Sequence, residues 1–212
     1  MMDCKKWLLF AALLLNGCAS MNQMECQTAD WRAIGFEDGS SGKNQSVISQ
    51  YRKDCAEHGI TADLQAYREG HHDGSVLFCT EINGFRLGAM DRDYQQSCPA
   101  ELEPEFLAAY RDGQSLNQAE QAMHAAENDI NHNQQQLITI AQEIEQKNDE
   151  MVADGLTREQ RIQIRDEIKQ LQFEYVEVEG LQEELHAILD EQAAHFHHVN
   201  ETMKNKYPLA DL

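Results

Sequence analysis

The side chains of this sequence best suited to chemistry are its nine histidines and its 37 Asp and Glu residues. Glu191, His195 and His198 fall on one helical face through steps of four and three, as the ligands of helical metal sites do. The Glu that stands beside the first His of a zinc-protease motif is missing. These three are therefore candidate ligands whose plainer reading is a polar helix surface, and no metal or other cofactor is expected. His71-His72-Asp73 is a second such cluster, and His124 and His186 are about equally far from the turn of a folded-back hairpin, a placement that allows them to be neighbours. The sequence has no Gly-x-Ser-x-Gly elbow and no phosphate-cradling Gly-x-x-x-x-Gly-Lys loop. A run such as Glu174, Glu177, Glu179, Glu183 and Glu184 reads as a solvated face, so no catalytic residue is assigned.

The cysteines carry more information. Lys5 and Lys6 precede the apolar run Trp7 to Leu15, which is under half of the roughly 20 residues a membrane span requires and matches the core of a secretory signal. Leu15-Asn16-Gly17-Cys18-Ala19 resembles the bacterial lipobox, although Asn16 departs from the small or branched residue usual there. The resemblance implies cleavage before Cys18 and acylation of Cys18. Ala19 follows it where lipoproteins retained in the inner membrane of Gram-negative bacteria usually carry Asp, which implies the outer membrane. Several acyl chains anchor stably, at about 0.8 kcal/mol per buried methylene, so membrane attachment needs no basic patch. Cys4 leaves with the signal, and Cys26, Cys55, Cys79 and Cys98 remain: an even number in an exported chain, read as two disulfides. Of the three possible pairings, Cys26–Cys55 with Cys79–Cys98 is preferred. The first would join the start of one helix to the end of its antiparallel neighbour.

All four of these cysteines precede residue 99, and beyond Gly113 only Gly155 and Gly180 remain of the twelve glycines. The composition thus changes near Gln114. The first segment repeats an aromatic residue, an Arg and then a Gly: Trp31-Arg32 leading to Gly35, Tyr67-Arg68 to Gly70, Phe85-Arg86 to Gly88 and Tyr110-Arg111 to Gly113. The pairs Gly35/Gly39, Gly70/Gly74 and Gly84/Gly88 each share a helical face, which predicts close helix crossings. Gly59 and Gly113 are read instead as helix ends or turns. These units, the four cysteines, Asn83-Gly84-Phe85-Arg86-Leu87-Gly88 and Cys98-Pro99 together resemble an uncharacterised proteobacterial lipoprotein family, a domain of unknown function, over residues 18–113. The resemblance implies lipidation at Cys18 and supplies no catalytic residue and no substrate.

The second segment is a sustained heptad. Leu116, Met123, Ile130, Leu137, Ile144 and Met151 recur every seventh position, interleaved with Ala119, Ala126, Asn133, Ile140 and Lys147. The pattern breaks at Ala153-Asp154-Gly155-Leu156, and Thr157-Arg158-Glu159-Gln160 matches a capping box that starts a second helix. Its seam runs through Ile164, Ile168, Leu171, Tyr175, Val178, Gln182, Leu185, Leu189, Gln192, Phe196, Val199 and Met203. Two such helices with a short connection fold back as an antiparallel pair, each arm roughly 60 Å long. The polar seam residues Asn133, Lys147, Gln182 and Gln192 weaken the seam and either set register or mark further partners. A two-helix seam is thin, which predicts dimerisation or docking onto the first segment.

The expectation is an all-α chain: signal peptide 1–17, lipidated tether 18–25, disulfide-stapled helical domain 26–113, coiled-coil hairpin 114–205 with its turn near 154–157, and tail 206–212. Seventeen Lys and Arg against 37 Asp and Glu give a formal charge of −20, which argues against nucleic acid as a partner. The membrane is reached through the N-terminal lipid. The expected function is an outer-membrane lipoprotein facing the periplasm, a scaffold or adaptor whose hairpin binds another envelope protein or a copy of itself. The alternative expectation is a periplasmic enzyme or metal-binding protein using the glycine-rich domain.

Overall fold

The computed structural model describes residues 21–210, so the signal segment and Cys18 lie outside the described residues. Among the described residues every regular element is a helix, and none of these helices is long and apolar enough to cross a membrane. The chain divides into two compact units: residues up to Asn83 with Asp93–Leu107, and Gly84–Arg92 with Ala108 onward.

The first unit opens with α1 (Gln23–Thr28) and α2 (Trp31–Ser40), followed by a 3-10 turn (Gln45–Val47), α3 (Ile48–Glu57) and α4 (Leu64–Phe78). Short polar side chains start α1, α2 and α4. Asn22 and Glu25 form a capping box, while Asp30 and Asp63 each accept two backbone N–H groups of α2 and α4. Such caps contribute about 1 kcal/mol each. The core gathers Trp31, Ile48, Ala62 and Tyr67 around the Cys26–Cys55 disulfide, and Cys79–Cys98 closes the second loop. This is the preferred connectivity. In the chain-entropy account each such loop contributes on the order of 3 kcal/mol, a large share of the stability of so small a core.

The pairs Gly35/Gly39 and Gly70/Gly74 do what their spacing predicts. A Cβ on Gly35 would stand 2.1 Å from the Tyr67 carbonyl oxygen, and one on Gly70 would stand 1.9 Å from that of Arg32. Gly39 and Gly74 meet His71 and Phe36 in the same way. Thus α2 and α4 cross backbone to backbone, each lying in the other's glycine groove.

The second unit repeats this crossing with α5 (Glu81–Ala89) and α6 (Glu103–Val152), both of which begin in the first unit. Gly88 lies against the Tyr110 carbonyl and Gly113 against that of Phe85, at 2.0 and 2.1 Å from an added Cβ. Gly113 is therefore not a helix end. It lies inside α6, as does Gln114, where the composition changes. The two crossings share a sequence: Leu64-Gln65-Ala66-Tyr67-Arg68-Glu69-Gly70 aligns without a gap with Leu107-Ala108-Ala109-Tyr110-Arg111-Asp112-Gly113. Each string stands at the same spacing after a disulfide cysteine, Cys55 or Cys98. Gly35-Phe36-Glu37-Asp38-Gly39 likewise corresponds to Gly84-Phe85-Arg86-Leu87-Gly88.

α6 then continues as the first arm of the hairpin, and α7 (Arg158–Gly180) and α8 (Gln182–Lys206) form the second. Every predicted seam position is buried or half-buried. At the turn, Gly155 takes φ +85°. Thr157 Oγ1 accepts from Gln160 N–H, and Gln160 Oε1 accepts from Thr157 N–H, which completes the expected capping box. Arg161 donates to the carbonyls of Met151 and Ala153, closing the open end of α6. The second arm is expected as one helix and is interrupted at Leu181, where the bend follows Gly180.

Candidate functional site

The first unit holds a buried acid. The Asp38 carboxylate on α2 accepts from Lys43 Nζ at 2.8 Å and from the Tyr67 hydroxyl at 2.9 Å, with the Tyr51 hydroxyl at 3.4 Å. A buried carboxylate persists only when its oxygens are paired, and three donors converge here. Burial pushes the Tyr67 phenol well above its ordinary value, and donation to Asp38 raises it further. The hydrogen bond to Asp38 likewise raises Lys43. One turn on, buried His71 places Nε2 2.8 Å from the Lys43 carbonyl and Nδ1 3.2 Å from Ser75 Oγ. With Nε2–H donated to that carbonyl, Nδ1 carries a lone pair beside the Ser75 hydroxyl.

A small cleft of about 240 Å³ adjoins His71, lined also by His72, Gln45, Gln96 and Ser97. Gln96 holds φ +54°, and Asn44 Nδ2 donates to the carbonyls of Gln95 and Gln96 at 2.9 Å. Tyr94, pushed up to about 12 mainly by burial, accepts from Cys98 N–H and donates to Glu103. The loop that presents Ser97 is thereby fixed from both ends. Ser75 is fully buried and donates to the His71 carbonyl at 2.7 Å. Ser75 and His71 both line that cleft.

In the second unit residues 206–209 return to the glycine crossing. Tyr207 stacks on Phe85 with ring centroids 4.4 Å apart and donates to Asp112 Oδ2 at 2.6 Å, where Lys206 Nζ also binds. Arg86 donates to the Leu209 carbonyl. Val199 and Tyr207 share a core with Phe85, Ala109, Leu116 and Ala119. The hairpin therefore docks on α5 and the start of α6, the second of the two outcomes its thin seam predicts. Beside the Phe85–Tyr207 stack runs an open groove of about 760 Å³, lined chiefly by Leu116, Phe196, Met203 and Met90.

Along the hairpin, polar seam residues act across it. Asn133 Nδ2 donates to the Val178 carbonyl at 2.9 Å, next to the break at Leu181. Lys147 pairs with Glu167 at 2.7 Å. On the face of α7 turned away from that seam, apolar side chains stay in solvent: Phe173 is 70% exposed, Val176 64% and Ile162 39%.

The sequence-predicted residues fare unequally. Cys26, Cys55, Cys79 and Cys98 are brought together in pairs. Glu191, His195 and His198 are all exposed on α8, and His124 pairs with Glu127 of its own helix at 2.9 Å. No group of three or more His, Cys, Asp or Glu among the described residues is placed to hold a metal ion. Sequence reasoning missed the Asp38 cluster and the Asp112 clamp. The signal for Asp112 was present in the duplicated string, whose acidic position after Tyr-Arg is Glu69 in one copy and Asp112 in the other.

Two glycine-crossed helix pairs, two disulfides and a long hairpin define a class: an all-helical, disulfide-stapled domain with a helical extension. Residues 30–115 match the family model described as a protein of unknown function (DUF2799). That span contains both glycine crossings and stops before most of the hairpin. No curated protein and no solved structure matches the chain.

Proposed function

We propose that the chain is an envelope lipoprotein, anchored through Cys18 in the bacterial outer membrane, which acts as a scaffold or adaptor by presenting its hairpin to a protein partner. The lipobox-like segment and the oxidised cysteine pairs support the exported, anchored part of this reading. One observation carries the rest: a hairpin whose seam is already filled keeps Phe173, Val176 and Ile162 in solvent on its opposite face. Exposed apolar side chains grouped on one face mark interaction surfaces, and the Asp38 carboxylate is taken up by hydrogen bonds from Lys43, Tyr51 and Tyr67.

The test has two arms in intact cells. Radiolabelled palmitate should mark the chain and fail to mark Cys18→Ser. Photo-crosslinkers placed beside Phe173 should yield a protein adduct that Phe173→Ser/Val176→Ser abolishes. Absence of label overturns the anchor, and absence of any adduct overturns the adaptor.

A further inference from the structure

A hydroxyl in the core of the first unit lacks a partner. Ser97 is 6% exposed, its Oγ is shut off from solvent, and among the described residues no hydrogen-bond partner reaches it. A buried hydroxyl left unpaired is costly. The loop cannot relieve that cost by turning Ser97 outward. Asn44 holds the carbonyls of Gln95 and Gln96, the Tyr94 hydroxyl holds the Cys98 N–H, and Cys98 is joined to Cys79. Ser97 lines the cleft beside His71, together with Gln45, His72, Ser75 and Gln96.

The unspent hydrogen-bonding capacity of this cleft defines what it would take. His71 gives Nε2–H to the Lys43 carbonyl, and Ser75 Oγ lies closer to the His71 carbonyl, at 2.7 Å, than to Nδ1, at 3.2 Å. A serine hydroxyl has a single proton. With that proton on the carbonyl, the Nδ1 lone pair of a neutral imidazole needs a donor, while the Ser97 hydroxyl needs an acceptor. Among the described residues that line the cleft none is Asp, Glu, Lys or Arg. Asp73, next to His72, is held by Arg32 at 2.7 Å. An acceptor-only anion would therefore set its oxygens against the Nδ1 lone pair, and an ammonium group would enter with no carboxylate to balance it. An alcohol group donates and accepts at once.

We infer that this cleft binds a small neutral polyol, up to a single sugar ring, whose hydroxyls pair with Ser97 Oγ and His71 Nδ1. The exposed side chains of Gln45, His72 and Gln96 supply further donors and acceptors at its rim. The cleft's volume of about 240 Å³ exceeds a water molecule's share of roughly 30 Å³ and falls below the roughly 300 Å³ at which pockets for larger ligands begin. One ring fits that size better than a chain of them. The site lies in the first unit and goes beyond the adaptor reading of the hairpin, so each stands or falls without the other.

The test uses the isotope-labelled, disulfide-intact mature chain with Cys18→Ser, titrated in NMR with glycerol, myo-inositol, D-glucose and D-galactose. Inorganic phosphate, acetate and methylammonium serve as charged controls. At least one neutral compound should move the Ser97 amide and His71 ring signals along a saturable curve, with a dissociation constant on the order of millimolar, as suits so small a ligand. Ser97→Ala should weaken that binding about tenfold, the loss of one hydrogen bond. His72→Ala, at an exposed position, should weaken it severalfold with the fold intact, and Phe173→Ser on the hairpin should leave it unchanged. If no neutral compound moves these signals at about 100 mM, far above a millimolar constant, the cleft holds water only and the inference is overturned. A response to phosphate or acetate alone overturns it as well, since that makes the cleft an anion site. So does binding that both Ser97→Ala and His72→Ala leave at full strength.

Discussion

Asp38 and Asp112 occupy different positions in the two crossings, yet each is the acceptor that ties a tyrosine to a helix pair. Removing Asp38 leaves the Tyr67 hydroxyl buried without an acceptor. A hydrogen bond to a charged group contributes about 1.5–3 kcal/mol, so Asp38→Ala should destabilise the disulfide-intact protein by about that amount in urea unfolding. Asp38→Asn should cost less, because the carboxamide still accepts. The tyrosines also set an alkaline limit. Tyr94 is pushed up to about 12, and Tyr67 and Tyr51 are raised as well. A group whose folded value is raised contributes its full stability below its unfolded value, about 10 for a phenol, and loses it as pH climbs to the folded value. Thermal midpoints should therefore fall steadily above pH ~10, and less steeply in Tyr94→Phe. Asp112 works in the opposite sense. Burial raises its carboxyl, but hydrogen bonds from Lys206 and Tyr207 outweigh burial and hold it below its ordinary value. Its contribution is complete above the unfolded value, about 3.9, and is lost as pH falls through the lower folded one. Acid should thus release the Tyr207 ring from Phe85, seen as loss of their mutual ring-current shifts in NMR, and Asp112→Asn should weaken the clamp already at neutral pH.

The glycine crossing is the element on which both units depend, and its cost of substitution separates two roles of glycine. At Gly70 an added methyl would meet the Arg32 carbonyl at 1.9 Å, so α2 and α4 must part. Gly70→Ala should lose about 3 kcal/mol or more in urea unfolding, the upper end for overpacking. Gly180 meets nothing within 4 Å. There, alanine should add up to about 1 kcal/mol from helix propensity alone, with both variants measured at concentrations too low for association. Much of this was legible beforehand: the four-residue spacing of Gly35/Gly39 and Gly70/Gly74 specified a backbone contact, and the heptads specified every seam position of the hairpin. Gly113 was not legible in the same way. A single glycine beside a change of composition looks like a helix end, and only its partner Gly88, on a different helix, shows that it packs mid-helix. Asn133 was legible as a polar seam residue that sets register. The break it accompanies at Leu181 was not, since the heptad runs on through Gln182 and Leu185. The Asp38 cluster escaped for a related reason. Its strongest aromatic partner, Tyr67, is 29 residues away, and in sequence an acid after Glu37 looks solvated.

At the scale of the molecule, the boundary that composition suggests at Gly113 cuts through a core. Phe85 is 1% exposed, and it is covered by Tyr207 and packed with Leu116, Ala119 and Val199, all of which lie beyond that point. A chain ending at Gly113 would keep Trp31, Tyr67 and both disulfides and lose the far side of the second crossing. Uncovering a buried aromatic side chain costs about 3–5 kcal/mol on the evidence of truncations to alanine, a large part of what any domain of this size has in hand. Limited proteolysis of the shortened chain should therefore cut within residues 84–92 while residues 26–78 stay protected. Tyr207→Ala in the full chain should open the same segment by hydrogen exchange without altering α2 or α4. If the shortened chain instead protects residues 84–92 as well as the full chain does, the hairpin is not part of the second core. Loss of partner binding on truncation would then report on the hairpin alone. If the segment is exposed, truncation removes a folding element together with any binding surface, and only substitutions in solvent, such as those at Phe173 and Val176, separate the two.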